Sequence, residues 1–474
     1  MKKLLTPDRI FYVLSILFAV VMLPLRNDYL LRWIDETSLF ETDAFTVSFF
    51  LSVPGGVLQF AGNWLTQFMY YPWLGSLILI AFWVILTLLI VKAFKVKPRL
   101  RPLAVAVPMA LLLSVTQLDE VWLTLNSPGF LFTPTLGFMI TASAVWLIRL
   151  LRLAWARMAV AAVFAAIYPW LGFYALAAVA LCMLMEAVRA LKSRRIIGLL
   201  WILIPLAVVI LVPYLYYWNF NGTYADGEMM WLKGLPSLTM EGYDFYMWVP
   251  FIIIMIVMGA LAVVSDIDFN EKALKTGGWI SVGVVLALGV AVCVADSRRS
   301  EQFRATVLMS HYVGTLQWDR AANIMNNITE APTREMQALC GLALNNMGMQ
   351  PMRITAPERP DGGNPRKSAK LIESVFVNVP VYFHIGDHNA SYRWAMEHTV
   401  SYGKRVYFLK YMVKNALAMR DFELARKYNA ILLKTMFHKN WAKEYQMYID
   451  NPEWLEGSEE FRNLPQMPAF KTFV

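Results

Sequence analysis

Long apolar runs broken by short charged stretches fill the chain up to about residue 295, and a mixed pattern with helical period follows. A helix crossing a bilayer needs about 20 apolar residues. Runs of that kind lie at 10–25, 72–91, 102–117, 130–148, 153–171, 172–190, 196–217, 245–264 and 277–295, so about nine spans are expected. The fifth and sixth share "WARMAVAAVFAAIYPWLGFYALAAVALCMLMEAVRA", which has no polar loop. Pro169 and Gly172 can turn the chain between two spans, or Pro169 can kink one long span. The amino-terminal run has a basic start but no small-x-small cleavage site, and reads as an uncleaved first span.

Two shorter patterns sit between the first two spans. "AFTVSFFLSV" is apolar but too short to cross, and Pro54-Gly55-Gly56 breaks it. Over 57–71, Val57, Leu58, Ala61, Trp64, Leu65 and Phe68 fall on one helical face, which predicts an interfacial amphipathic helix anchored by Trp and Tyr.

Beyond residue 295 the pattern is that of a soluble all-α domain, 296–474. "MSHYVGTLQWDRAANIMNNI" reads as helix, turn at Leu316–Trp318, helix, with Ala321 and Ala322 inside. "RVYFLKYMVKNALAMRDFELARKYNAILLKT" repeats the plan around Met419–Asp421, with Ala425 and Tyr428 inside. These units resemble tetratricopeptide repeats, without the full Trp–Leu–Gly–Tyr pattern. Residues 353–370, rich in Pro, Gly and charge, read as a loop or linker. The fold class is therefore all-α, a polytopic membrane domain (1–295) followed by a soluble helical-repeat domain.

Composition supports this division. Hydrophobic residues make up 58% of the 474 and charged residues 16%, against roughly 25% charged in soluble domains. The net charge of +9 does not indicate nucleic acid. Up to residue 295 there are 20 Lys and Arg, and all but Arg26, Arg32 and Lys233 lie at the amino terminus or in loops assigned to one side. That asymmetry is the positive-inside pattern. It puts the amino terminus in the cytoplasm and the carboxy-terminal domain outside. Of the 16 Asp and Glu in this part, 11 fall in the first three outside loops. Cys182, Cys293 and Cys340 have no paired spacing, so neither a disulfide nor a zinc site is indicated.

Candidate chemistry gathers in the outside loops. Asp35-Glu36 and Asp119-Glu120 are adjacent carboxylates near the outer ends of spans. They can act as a general base or help hold a divalent cation, or be solvated loop acids that follow topology. Arg26 and Arg32 can take the phosphate of a lipid carrier, or pair with the nearby acids. His384, Asp387, His388 and His398 can be read as a metal set, but Gly386 and Asn389 favour a turn that caps a helix starting near Ala390. Near Cys182, Glu186 reads as a partner of Arg189 or Arg194 rather than a catalyst. P-loop, G-x-S-x-G and H-E-x-x-H motifs are absent, and no run of intramembrane charge marks an ion path.

"PGGVLQFAGNWLTQFMYYPWLGSLIL" and "NALAMRDFELARKYNAILLKTMFHKNWAKEY" resemble an uncharacterised family of bacterial multi-pass membrane proteins, over most of the chain. The layout of acidic first loop, interfacial helix, acids in the second loop and an extracytoplasmic domain is similar to GT-C glycosyltransferases. Those enzymes take sugars from polyprenyl-phosphate carriers. That resemblance implies Asp35 or Glu36 as base or metal ligand, with Asp119 and Glu120 in support. The chain lacks an Asp-x-Asp there; Glu41-Thr42-Asp43 is the nearest variant. The alternative is a membrane-anchored scaffold that binds a partner protein through residues 296–474.

Overall fold

The structure is a computed structural model that describes residues 7–118, 129–194, 197–218, 230–236, 245–267, 269–349, 376–462 and 464–465. Among these residues no named strand occurs, only helices and one isolated bridge between Lys233 and Leu235. The amino-terminal part contains α1 (Pro7–Val20, continued by a π-turn to Leu25), α2 (Asp28–Glu36), α3 (Ala44–Leu51), α4 (Gly56–Thr66), α5 (Pro72–Ala93) and α6 (Pro102–Thr116). It goes on through α7 (Thr133–Leu150), α8 (Ala154–Ala166), α9 (Phe173–Ser193), α10 (Leu203–Tyr216), α11 (Val249–Val264) and α12 (Glu271–Ser297). The second part holds α13 (Glu301–Gly314), α14 (Trp318–Ile324), α15 (Arg334–Asn346), α16 (376–384), α17 (His388–Tyr402), α18 (Val406–Ala418), α19 (Phe422–Leu432) and α20 (Lys439–Asp450).

Six helices among the described residues are long and apolar enough to cross a membrane, and α1 with α2, bent by 60°, makes a seventh candidate. Helices α8 and α11 are apolar but shorter. The expected run 153–171 is interrupted at Ile167, after which one turn, Tyr168–Leu171, leads into Gly172. Gly172 has φ +58°, and a Cβ there would lie 2.3 Å from the Lys233 carbonyl oxygen, which accepts the Phe173 N–H at 2.7 Å. Only glycine fits that site. Beyond it the chain doubles back, so that Arg157 of α8 meets Glu186 of α9; the segment is a hairpin, not one kinked rod.

The two parts start their helices differently. Proline opens the first turn of α5, α6, α7 and α11 (Pro72, Pro102, Pro134 and Pro250). A proline there carries no N–H to satisfy, which suits helices ending in or near lipid. Four carboxy-terminal helices use hydroxyl or carboxyl caps, and side-chain caps also start α3 and α12. Ser300 accepts from Phe303 N–H, Thr333 from Met336, Asp387 from Ala390 and Asp421 from Leu424, at 3.0–3.3 Å. Asp387 thus caps α17, as its turn residues suggested.

Both expected helix–turn–helix units form. Ala321 and Ala425 are fully buried where α14 meets α13 and α19 meets α18, and Leu316 and Arg420 adopt φ +58° in the turns.

The face that joins the ends of α5, α7, α9 and α11 is held by ion pairs. Asp266 takes Arg149 and Arg189, each at 2.8 Å, and Glu186 takes Arg157 through two bonds of 2.8 and 2.9 Å. Glu186 also lies 3.5 Å from Arg189. The partner of Glu186 is therefore chiefly Arg157 from the neighbouring helix, with Arg189 second.

Candidate functional site

The segment between α1 and α5 is mostly helix, and it lies against the carboxy-terminal helices. Helix α2 leaves α1 at Asn27, whose side-chain amide bonds the Met22 carbonyl at 2.7 Å and Asp296 at 2.9 Å. On α2 the turn of 3.6 residues separates neighbours in sequence. Asp28, Arg32 and Glu36 share one stripe; Leu31 and Asp35 share the next. The adjacent carboxylates Asp35 and Glu36 therefore serve different surroundings.

Asp35 is buried, with Oδ2 3.1 Å from Nε2 of His438. The two side chains are close, though neither ring nitrogen of His438 has an aligned hydrogen-bond partner. Burial pushes the Asp35 carboxyl above its usual range, opposed by His438 and by the charge of Lys410. Phe437, next to His438, stacks on Tyr70 at 5.6 Å and meets Phe68 and Tyr71 edge-on. Trp33, on the inner side of α2, packs 4.5 Å from Phe376 and 6.1 Å from Tyr407. Further contacts tie the two parts: Glu41 to Lys404 at 2.9 Å, Glu36 to Lys410 at 3.7 Å, and the Val406 N–H to the Ser38 carbonyl at 3.3 Å.

The expected interfacial helix is α4 with a 3-10 turn, Gln67–Tyr70. Leu58, Gly62, Asn63 and Leu65 face inward, while Val57 and Trp64 are exposed. Two polar or small residues turn the helix. Asn63 donates to the Leu39 carbonyl at 2.8 Å, and Gly62 lets the backbone at Gly129 and the side chain of Thr133 approach where a Cβ would clash.

Under α2 lies a cavity of about 240 Å³ between the two parts. Its polar wall is Asp28, Arg32 and Glu36 from α2, with His311, Gln317 and Arg320 from α13 and α14. Arg320 donates to Gln317 Oε1 at 2.9 Å, which fixes the guanidinium at the wall. Burial lowers the His311 pKa, against the pull of Glu36, so near pH 7 its ring is neutral and can accept a proton.

Of the residues singled out from sequence, the structure brings Arg32 and Glu36 to this cavity. Asp35 faces His438 just behind it. Arg26 is not in the wall; it pairs with Asp296 at the end of α12, where Arg299 also binds and reaches the Thr116 carbonyl at 2.8 Å. Arg32 lies 4.0 Å from Asp28. Asp43 caps α3, accepting the Thr46 N–H at 3.1 Å. Asp119 and Glu120 lie outside the described residues.

His311, Arg320, Lys404, Lys410 and His438 went unnoticed in the sequence. His311, Arg320 and Lys410 sit on helices and Lys404 and His438 in the connections between them, and each gains its meaning from α2 or the segment after it, over 270 residues away. His384 and His398 are buried among rings (Trp318, Phe383 and Phe408) and do not converge with His388. Among the described residues no three His, Cys, Asp or Glu side chains form a metal-holding group.

No curated protein and no solved structure matches the chain. A family model does, over residues 3–471, nearly the whole length. The chain therefore belongs to the family of unknown function DUF6057.

Proposed function

We propose that the protein is a lipid-linked sugar transferase of a bacterial inner membrane, working in the cavity under α2. The observation that carries the reading is that Arg32 and Glu36 line one cavity opposite Arg320 and His311. Two guanidinium groups suit a phosphate of a polyprenyl-phosphate carrier. Glu36, rather than the buried Asp35, is the base, with His311 as the neighbouring proton acceptor. An acceptor hydroxyl loses its proton to Glu36 and its oxygen bonds to the sugar's anomeric carbon. The bond from that carbon to the phosphate oxygen breaks, and the phosphate leaves on its lipid. Asp35 positions α2 through His438.

The membrane arrangement that goes with this has nine passes, counting the shorter α8 and α11. The amino terminus is in the cytoplasm and the carboxy-terminal domain outside. Its support is the basic face, where α5, α7, α9 and α11 end, opposite the end of α12 and the helical domain.

The test uses the full chain in nanodiscs with farnesyl phosphate as a short carrier probe. Wild type is expected to bind it, with binding lost in R32A/R320A and kept in E36Q. No binding by wild type, or equal binding by the double variant, defeats the reading.

A second reading has its own observation: Asp35, Glu36 and Glu41 all meet side chains of the carboxy-terminal domain. On that reading the acids seat a tetratricopeptide-like platform for a partner protein. E36Q that binds the probe and retains transfer of a lipid-linked sugar in membranes favours it over catalysis at Glu36.

A further inference from the structure

A second cavity lies on the other side of the molecule, between α1, α5 and α6. Its volume is about 380 Å³, within the roughly 300–1,000 Å³ of ligand sites. Ile16, Ile80, Val84, Val105 and Leu112 make the walls, and the exposed Leu88 stands at the edge. The two hydroxyls inside are already spent, Ser15 on the Phe11 carbonyl at 2.9 Å and Thr87 on the Trp83 carbonyl at 2.8 Å. The walls therefore ask for hydrocarbon.

One end is different. Lys92, in the last turn of α5, and Arg101, just before α6, both line the cavity, and Tyr12 fixes the turn by donating to the Arg101 carbonyl at 3.4 Å. Several basic residues on this face have acid partners: Arg99 with Glu271, Arg149 and Arg189 with Asp266, Arg157 with Glu186. Among the described residues Lys92 and Arg101, like Lys95 and Arg152, have none, but only Lys92 and Arg101 line the cavity. The ammonium of Lys92 stands 5.8 Å from the centre of the Trp146 ring, and the Nε of Arg101 is buried without a hydrogen-bond partner. Lys92 is exposed at the mouth, whereas Arg101 is half-buried, and a guanidinium held partly out of water with no anion is costly. An apolar groove that ends in these two cations is complementary to a molecule with a hydrocarbon tail and a single anionic phosphate.

We infer that this groove is a binding site for an anionic phospholipid, with an acyl chain between α1, α5 and α6 and the headgroup phosphate on Lys92 and Arg101. The site opens on the basic face, opposite the cavity under α2, so its lipid is a resident of the bilayer and not the carrier of the proposed transfer.

The test is native mass spectrometry of the full chain in detergent with equal phosphatidylglycerol and phosphatidylcholine. One phosphatidylglycerol is expected to be retained over phosphatidylcholine by about tenfold, the size of a charge-assisted hydrogen bond. R101Q/K92Q loses the preference, and R101K keeps most of it. If the double variant does not fold, S15W, which fills the groove and leaves the cations, is expected to lose the bound lipid. Equal retention of the two lipids overturns the inference. So does a preference that survives R101Q/K92Q, or displacement of the lipid by inorganic phosphate or by farnesyl phosphate at equal concentration.

Discussion

The basic face and the junction under α2 are both held by ion pairs, and they are built in opposite ways. On the basic face few acids serve many bases: Asp266 takes two arginines, and Glu186 takes two. The pairs are short and join the ends of neighbouring helices. At the junction each acid has its own base. Asp35 meets His438, Glu36 meets Lys410 and Glu41 meets Lys404, each across more than 360 residues of chain. The first pattern gathers cations at one set of helix ends, with a few carboxylates neutralising the most buried. The second matches two surfaces. These acids between α1 and α5 are each matched to a base of the carboxy-terminal part.

The comparison can be broken most forcefully by removing one partner of a buried pair in each part. Lys414 and Glu460 lie 2.6 Å apart inside the carboxy-terminal domain, and Tyr445 adds a bond to Glu460 at 2.5 Å. Burial pushes Glu460 up, but Lys414 and Tyr445 outweigh it and hold the carboxyl below its usual range. K414M leaves that carboxylate alone in the interior, and unfolding in denaturant should show a loss of about 3–5 kcal/mol. E186Q should behave similarly, because Arg157 is left nearly buried without its carboxylate. If E186Q costs nothing, the basic-face pairs are only a consequence of topology, and the contrast is sharper than drawn here.

What could be seen in the sequence follows the same division. Six of the nine expected runs are helices long and apolar enough to cross a membrane, since one property repeated over 20 residues is enough. The two helix–turn–helix units were legible from Ala321 and Ala425, because spacing within a few residues decides them. The split of Asp35 from Glu36 was not, since as neighbours they read as a pair until α2 is known to be a helix. The role of His438 was beyond reach, because a histidine in "MFHKN" says nothing about an aspartate 403 positions earlier.

A smaller effect separates the parts by pH. Burial lowers the pKa of His384 to about 3 and that of His398 to about 2. His384 faces Glu460, Lys414 and His388; His398 faces Arg405. Both are neutral when folded and take up protons near pH 6.5 when unfolded. Their contribution to stability is complete above pH 6.5 and is lost as pH falls toward the folded values. At pH 5 each should have lost about 2 kcal/mol. H398F should remove its share of the acid sensitivity, read from melting curves at pH 7 and pH 5. Asp35 acts in the other direction. Its folded pKa is raised, so its term is present at low pH and fades as pH rises through that value. D35N should flatten the upper part of the profile without changing the slope that the histidines set.

The smallest expected effect tests whether the junction pairs are equal. Lys404 and Glu41 lie 2.9 Å apart, but nearly half of the Lys404 side chain faces solvent. An exposed pair of this kind contributes about 0–1 kcal/mol, and salt screens it. E41Q should therefore shift the melting temperature of the full chain very little, and less still in 0.5 M salt than in about 0.05 M, given the shorter Debye length. The Asp35 contact, buried against His438 beside the stack of Phe437 on Tyr70, should be insensitive to salt. A D35N effect that fell with salt as the E41Q effect does would put Asp35 in water, and the junction would then be a loose electrostatic association. A salt-independent D35N effect beside a salt-dependent E41Q effect leaves the packed core around Trp33 and Phe437 holding the domain in place, with the outer ion pairs setting its register.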